Sequence, residues 1–132
     1  MFASTNRIVR TLQKVLASRP DLRLPRWREE CSNDTCSLAG HCALGAEAAY
    51  WLLGHGKAGW KQYHMKWEGI SHWFVRNVKT GEVVDPTSEQ YSTTPDYRLG
   101  HGGWINRGGR GPSLRAQEVI LEVRRRMGVD HV

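Results

Sequence analysis

Residues 42–53, CALGAEAAYWLL, constrain the fold most, because they are rich in alanine and leucine and are followed by Gly54. Alanine and leucine favour helix, and a glycine just past the last turn is a common helix end. Glu47 is the only charged residue of this segment, so the helix has no polar face to turn towards water. The rest of the 132-residue chain is therefore expected to surround a single buried helix.

The remaining apolar periodicity supplies the elements that could cover this helix. Amphipathic helices are predicted at both ends of the chain, over 4–18 with Ser4 as N-cap and over 113–127 with Ser113 as N-cap. Alternating patterns bounded by turn residues predict three short strands, at 59–66, 71–77 and 82–85. The sequence thus predicts one α+β domain over 1–132, in which the buried helix packs on a small antiparallel sheet of about three or more strands between two flanking helices.

The composition limits the cellular compartments and the binding partners that can be expected for this chain. No run approaches the roughly 20 apolar residues of a membrane span. Charged residues throughout 1–20 argue against a secretory signal. Together these features predict a cytoplasmic location, in which the thiols are free. The net charge is +6, and 14 of the 19 basic residues are arginine, which favours recognition of carboxylates or phosphates. This excess is too small to indicate nucleic-acid binding by itself.

Three polar residues stand where a cysteine enzyme would need them. Cys42 begins the buried helix, His72 lies near the start of the second strand, and Asp85 ends the third. A helix N-terminus stabilises a thiolate and presents free backbone N–H groups to an oxyanion. A hairpin turn near residues 79–81 brings His72 and Asp85 to the same end of the hairpin, where the carboxylate could orient the imidazole.

Short motifs around these residues resemble a known superfamily. The segments GHC at 40–42, HWF at 72–74 and DPT at 85–87 resemble the papain-like superfamily in its transglutaminase-like forms. Together with PSLRA at 112–116 they are also similar to small uncharacterised phage-type proteins. The resemblance implies a Cys-His-Asp triad of Cys42, His72 and Asp85, no cofactor, and a place in the host cytoplasm if the protein is phage-encoded.

The implied activity is that of a thiol-dependent hydrolase or acyltransferase acting on an amide, isopeptide or thioester bond. Its substrate would be a protein, a peptide or another amide-containing molecule. Broad endopeptidase activity is not expected, because the chain is too short for the second lobe that forms the cleft of papain-like proteases. The sequence does not distinguish hydrolysis from transfer or deamidation.

Further residues complete the predicted site. The backbone N–H of Cys42 is the first expected oxyanion donor, and Asn33 or Ser37 could supply the second. Trp73 is a candidate substrate contact. The glycine-rich loop 98–111 is expected to be mobile and to border the groove, so that its Trp104, Arg107 and Arg110 contact an acidic or phosphate-bearing substrate.

Other interpretations of the same residues remain open. Soft metal ligands lie close together in the sequence, although the spacing is poor for zinc: Cys31, Cys36, His41 and Cys42. Asp85 before Pro86 is also typical of an Asx-turn. The run Arg124–Arg126 fits a solvated helix end. The functional alternative is a non-catalytic binding protein of the same fold, engaging a host protein or a nucleic acid through an Arg/Trp-rich surface.

Overall fold

The computed structural model describes residues 4–22 and 41–128, and within them the chain forms three α-helices and a four-stranded antiparallel sheet. The helices are α1 (Thr5–Ser18), α2 (Cys42–Leu52) and α3 (Leu114–Met127). The strands are β1 (Trp60–Trp67), β2 (Ile70–Asn77), β3 (Val83–Val84) and β4 (His101–Gly102). The predicted α+β fold, with a central helix on a small antiparallel sheet and a helix on either side, is confirmed.

The flanking helices begin at the predicted caps. The hydroxyl of Ser4 accepts a hydrogen bond from the backbone N–H of Arg7, and that of Ser113 accepts one from Ala116, each at 3.3 Å. Each helix buries a single apolar stripe, as its periodicity predicts. The two stripes contain Ile8, Leu12, Val15 and Leu16 on α1, and Ala116, Val119, Ile120, Val123 and Met127 on α3.

The α2 helix lies at the centre, and eight of its eleven residues are buried. Its one carboxylate, Glu47, accepts hydrogen bonds from the backbone N–H of Ser113 at 2.6 Å and from the Ser113 hydroxyl at 2.8 Å. These bonds tie the middle of α2 to the start of α3. A β-carbon at Gly45 would lie 3.1 Å from Leu16 and 3.3 Å from Thr87, so α2 passes closely between α1 and the segment after β3.

The strands lie in the order β3-β2-β1-β4. A two-residue turn joins β1 to β2, and both its residues have positive φ, 50° at Glu68 and 77° at Gly69, as a type I′ turn requires. On the other side of β2, Val75 pairs with Val84. Val75 and Val84 belong to the main core, whereas His72 and Phe74 point to the opposite face of the sheet.

The segment 98–111 contains a two-residue strand and part of a 3₁₀ turn, which the expectation of a glycine-rich loop did not include. A 3₁₀ turn spans Tyr97–Leu99, and β4 then pairs with β1 through His64 and His101. Gly100 permits this approach, because a β-carbon there would overlap the Phe74 ring. The strand could not be predicted from the sequence, because glycine is favoured both where the backbone packs closely against an aromatic ring and in a flexible loop.

Several predicted features lie outside the described residues. They include the loop thiols Cys31 and Cys36 and the proposed oxyanion donors Asn33 and Ser37. Among the helices that the structure describes, none combines the length and apolar character needed to cross a membrane.

Candidate active site

Cys42 is the first residue of α2 and is half-buried. The side chain of His41, at the N-cap, makes no hydrogen bond to the first turn of the helix. The backbone N–H groups that begin every α-helix have no partner within the helix itself. Cys42 therefore stands beside backbone donors that its own cap side chain does not occupy.

The Cys42 thiol also contacts the edge of β2, where its Sγ donates to the carbonyl oxygen of Ser71 at 3.5 Å. The two-residue turn explains this position. In a type I′ hairpin Trp67 and Ile70 exchange hydrogen bonds, and so does every second pair after them, including Met65 and His72. Ser71 therefore directs its carbonyl away from β1, to the edge that β3 is too short to cover.

His72 is fully buried and is bonded to Asp85. The distance from His72 Nε2 to Asp85 Oδ2 is 2.7 Å, and the Asp85 side chain is only 4% exposed. Because Val75 pairs with Val84, Asp85 comes opposite Phe74 and is a diagonal neighbour of His72 on the same face. The hairpin therefore produces the proximity that the sequence predicted for these two residues.

The charge state of His72 reflects both its burial and its partners. Burial of the ring lowers the pKa, but the hydrogen bonds and negative charges of Asp85 and Cys42 outweigh burial and raise the pKa from 6.5 to about 9. Because Cys42 contributes to this shift, its thiol lies near the imidazole. Nε2 is taken by Asp85, and Nδ1 is buried with no hydrogen-bond partner in the described part of the chain, so Nδ1 is the nitrogen left for the thiol.

Asp85 has donors on both of its oxygens. Oδ2 accepts from His72 and from the Tyr97 hydroxyl, each at 2.7 Å, while Oδ1 accepts from the backbone N–H of Thr87 at 3.3 Å. The last bond is the Asx-turn that the Asp-Pro-Thr segment suggests. The turn and the contact with His72 therefore coexist, since they use different oxygens of one carboxylate.

Two tyrosines that the sequence analysis did not single out complete the cluster. The Tyr91 ring meets the His72 ring edge-on at 4.9 Å between centroids, and its buried hydroxyl has no hydrogen-bond partner among the described residues. Burial, followed by the negative charges of Cys42 and Asp85, raises the pKa of Tyr91 well above its usual value. Burial and the Asp85 charge do the same for the pKa of Tyr97. Both hydroxyls therefore remain protonated donors at neutral pH.

The predicted substrate residues are not all brought to Cys42. Trp104 packs edge-on against Tyr50 and Trp51, at the opposite end of α2, and its Nε1 donates to the carbonyl of Gly109 at 2.9 Å. The structure thus places Trp104 in a structural contact away from Cys42. Arg110 is exposed, with no part in the cluster around Cys42.

Trp73 and Arg107 both lie close to His64, which bonds Ser71. The Trp73 ring lies 4.8 Å from the ring of His64, which in turn bonds the Ser71 hydroxyl at 2.6 Å. Burial, and then the positive charges of His101 and Arg107, lower the pKa of His64. The surface beside Ser71 is therefore aromatic and electropositive.

The alternative zinc site lies partly outside the described residues. Over 4–22 and 41–128 the structure has no group of three or more histidine, cysteine or acidic side chains arranged to hold a metal ion. Two of the four suggested ligands, Cys31 and Cys36, lie outside those ranges.

Comparisons of the chain with protein-family models, with curated proteins and with solved structures found no match.

Proposed function

We propose that this protein is a thiol-dependent acyl-transfer enzyme of the papain-like or transglutaminase-like type, with Cys42 as nucleophile, His72 as acid and base, and Asp85 as the residue that orients His72. The observation that carries the proposal is the 2.7 Å hydrogen bond between His72 Nε2 and Asp85 Oδ2, with Cys42 near enough to the same buried ring to raise its pKa. This is the nucleophile–base–orienting-group arrangement that covalent catalysis uses.

The raised pKa of His72 sets the resting state. At neutral pH the imidazole is protonated, so a positive charge lies close to the Cys42 nucleophile. The thiolate attacks the carbonyl carbon of the substrate, forming a C–S bond and a tetrahedral oxyanion. As the oxyanion collapses, the bond to the leaving group breaks and His72 donates its proton to that group. A thioester to Cys42 and a neutral His72 remain.

The second half-reaction regenerates the thiol. Water or an amine attacks the thioester carbonyl and passes a proton to His72, and the C–S bond then breaks, restoring the thiolate and the imidazolium. Asp85 keeps its charge throughout and holds Nε2, so that Nδ1 faces the reacting atoms. The residues above perform each of these steps, and the choice between water and an amine decides between hydrolysis and transfer.

Two donors are available for the oxyanion among the described residues. The first is the backbone N–H of Cys42 at the start of α2. The second is the Tyr91 hydroxyl, which is buried against His72, lacks a partner in the described part of the structure and is coupled electrostatically to Cys42. A buried donor without a partner is costly, and a developing oxyanion would relieve that cost.

An acidic acyl donor fits the surroundings of the thiol. His101, Arg107 and Lys66 act as positive neighbours of His64, whose ring bonds the Ser71 hydroxyl, and the Ser71 carbonyl contacts the Cys42 thiol. An anionic group on the substrate would be attracted to this side of the site, in keeping with the net charge of +6. Arg107 is thus retained as a substrate residue, with Trp73 beside it as an aromatic wall.

The proposal is tested with p-nitrophenyl acetate, a generic acyl donor. Release of p-nitrophenolate should show a burst, and intact mass and peptide mapping should place the acetyl group on Cys42. Cys42→Ala should abolish both signals, while Cys31→Ala and Cys36→Ala should retain them. Acetylation spread evenly over the three cysteines, with no burst, would instead favour the non-catalytic binding protein of the same fold.

A further inference from the structure

A cavity lies at the other end of α2, away from the Cys42 thiol. Its volume is about 560 Å³, and its walls include Trp51 from the last turn of α2 and Ile120, Leu121 and Arg124 from α3. Trp51 comes nine positions after Cys42, which is roughly 13 Å along a helix axis. The volume is within the range of small-molecule sites, and the position excludes a direct role in the thiol chemistry.

Two hydrogen-bond donors of this cavity are left unused. The Nε1 of Trp51 and the Nε of Arg124 are both buried, and neither has a hydrogen-bond partner among the residues that the structure describes. Buried donors are nearly always paired, so this wall of the cavity is short of hydrogen-bond acceptors. The two nitrogens are themselves closed to solvent, so a ligand in the cavity would be held by the terminal N–H groups of Arg124, beside the Trp51 ring.

The charged side chain that lines the cavity favours a negatively charged ligand. Among the described residues that line it there is no aspartate or glutamate. The three arginines near the end of α3 have different environments. Arg125 and Arg126 both pair with Glu122, whereas Arg124 lines the cavity. Arg124 forms no ion pair within the described ranges, so its positive charge is available to a ligand.

The backbone beside the cavity adds a further constraint. His55 lines the cavity with φ 49° and ψ −151°, a conformation that residues other than glycine rarely adopt. This conformation holds the His55 ring 5.1 Å from the Trp51 ring, between centroids. The imidazole is thereby kept beside the unused indole N–H as a further polar group.

We propose that this cavity binds a small carboxylate with a flat apolar body. The terminal N–H groups of the Arg124 guanidinium supply donors for the two carboxylate oxygens, and the Trp51 ring forms one wall of the site. Ile120 and Leu121 cover the apolar body, and Leu121 is 64% exposed in the free protein. The site is independent of the acyl-transfer chemistry, since it shares no residue with the cluster around Cys42.

The test uses the full ¹⁵N-labelled chain and two probes of similar shape, 1-naphthoate and the uncharged 1-naphthalenemethanol. The Trp51 indole N–H resonance, identified by its loss in Trp51→Phe, should shift saturably with 1-naphthoate. The alcohol should bind about tenfold more weakly, as expected for the loss of a charge-assisted hydrogen bond. Arg124→Gln should weaken binding of 1-naphthoate by a similar factor.

Arg125→Gln is the matched control, because it removes one positive charge from the neighbouring position, whose guanidinium is bound to Glu122 outside the cavity. This variant should bind 1-naphthoate like the wild type. Equal weakening by Arg124→Gln and Arg125→Gln, equal binding of the acid and the alcohol, or no shift of the Trp51 resonance would each overturn the proposal. The p-nitrophenyl acetate burst should be the same in all these variants, so the result does not depend on the proposed enzyme activity.

Discussion

The hydroxyl of Tyr97 donates to Oδ2 of Asp85 at 2.7 Å, and that oxygen also accepts from His72 Nε2 at the same distance. Tyr97 lies in the 3₁₀ turn just before β4, while Asp85 directly follows β3 at the opposite edge of the sheet. The segment after Asp85 therefore folds back over the face that carries His72. The carboxylate is fixed from two sides, which gives the imidazole a single orientation.

We expect Tyr97→Phe to leave the fold intact, at a cost of about 1 kcal/mol for one lost hydrogen bond. Acetylation of Cys42 by p-nitrophenyl acetate should slow by about tenfold, because a less constrained Asp85 positions His72 less well. The pH at which His72 loses its proton should rise. Without the Tyr97 hydroxyl, His72 is the only remaining side-chain donor to Oδ2 of Asp85 in the described part of the chain, so the carboxylate charge acts more strongly on the imidazolium. The rate and its pH midpoint are the measurements.

Tyr63→Phe is the matched control for this change. Tyr63 lies on the same face of the sheet, stacked on Phe74 at 5.5 Å between centroids. Its substitution should alter neither the acetylation rate nor the pH midpoint. If both tyrosine variants behaved alike, Tyr97 would have no positioning role.

Loss of the thiol should affect chemistry far more than folding. Cys42→Ala removes one small, half-buried side chain at a helix start, so the free energy of unfolding should fall by only about 1 kcal/mol, while acetylation disappears. Treatment of the wild type with EDTA should leave its melting temperature unchanged. Unfolding both by Cys42→Ala and by the chelator would instead indicate a structural zinc site that uses this cysteine.

The proximity of His72 and Asp85 could be predicted because it depends on one short hairpin. The turn residues and the alternating pattern fix the register, and register decides which side chains become neighbours. Tyr97 is different, because its position depends on an irregular segment of the chain that has no periodicity. A buried carboxylate demands several donors, but the sequence does not indicate which nearby hydroxyl will supply one.

Trp104 shows a second reason why sequence reasoning fell short. Tryptophan is common both in ligand sites and in cores, and a glycine-rich setting is compatible with either. Here the indole fills the space beside Tyr50 and Trp51, a long-range packing contact with no local signal. Arg107 in the same segment comes close enough to His64 to affect its pKa. The segment therefore serves both packing and the electropositive surface near the thiol.

Stability should decrease as the pH rises from 6.5 to about 9, the window set by the raised pKa of His72. The folded protein binds this proton more tightly than the unfolded chain, so the stabilisation is complete below pH 6.5 and is lost as His72 deprotonates. Urea unfolding of Cys42→Ala should show the decrease over a narrower pH window, because the Cys42 thiol is one of the two partners that raise this pKa. Adding Asp85→Asn to this variant should remove most of the pH-dependent loss of stability. If the single and the double variant lost stability equally, the loss would come from groups other than His72.

Tyr91→Phe tests the proposed oxyanion donor. The substitution removes only a hydroxyl that has no partner in the described residues, so the melting temperature should stay the same or rise. The rate of p-nitrophenolate release should nevertheless fall by about 10²-fold, the usual effect of losing one such donor. Alkylation of Cys42 by iodoacetamide builds no oxyanion and should be unaffected. An equal loss in both reactions would mean that Tyr91 acts on the thiol itself.

The backbone at His55 gives a prediction that depends on no ligand and no activity. At φ 49° and ψ −151° a β-carbon is in steric conflict with its own backbone, whereas glycine adopts this conformation freely. His55→Gly and His55→Ala both remove the imidazole and its contacts with Tyr50 and Trp51, so the difference between them isolates the β-carbon. In an ordinary helix or strand, alanine would be the more stable of the two. Here His55→Gly should exceed His55→Ala by about 1 kcal/mol in free energy of unfolding, measured by urea denaturation. If alanine were equally stable or better, the turn after α2 would have to relax away from this conformation, and the His55 ring would no longer be fixed beside Trp51.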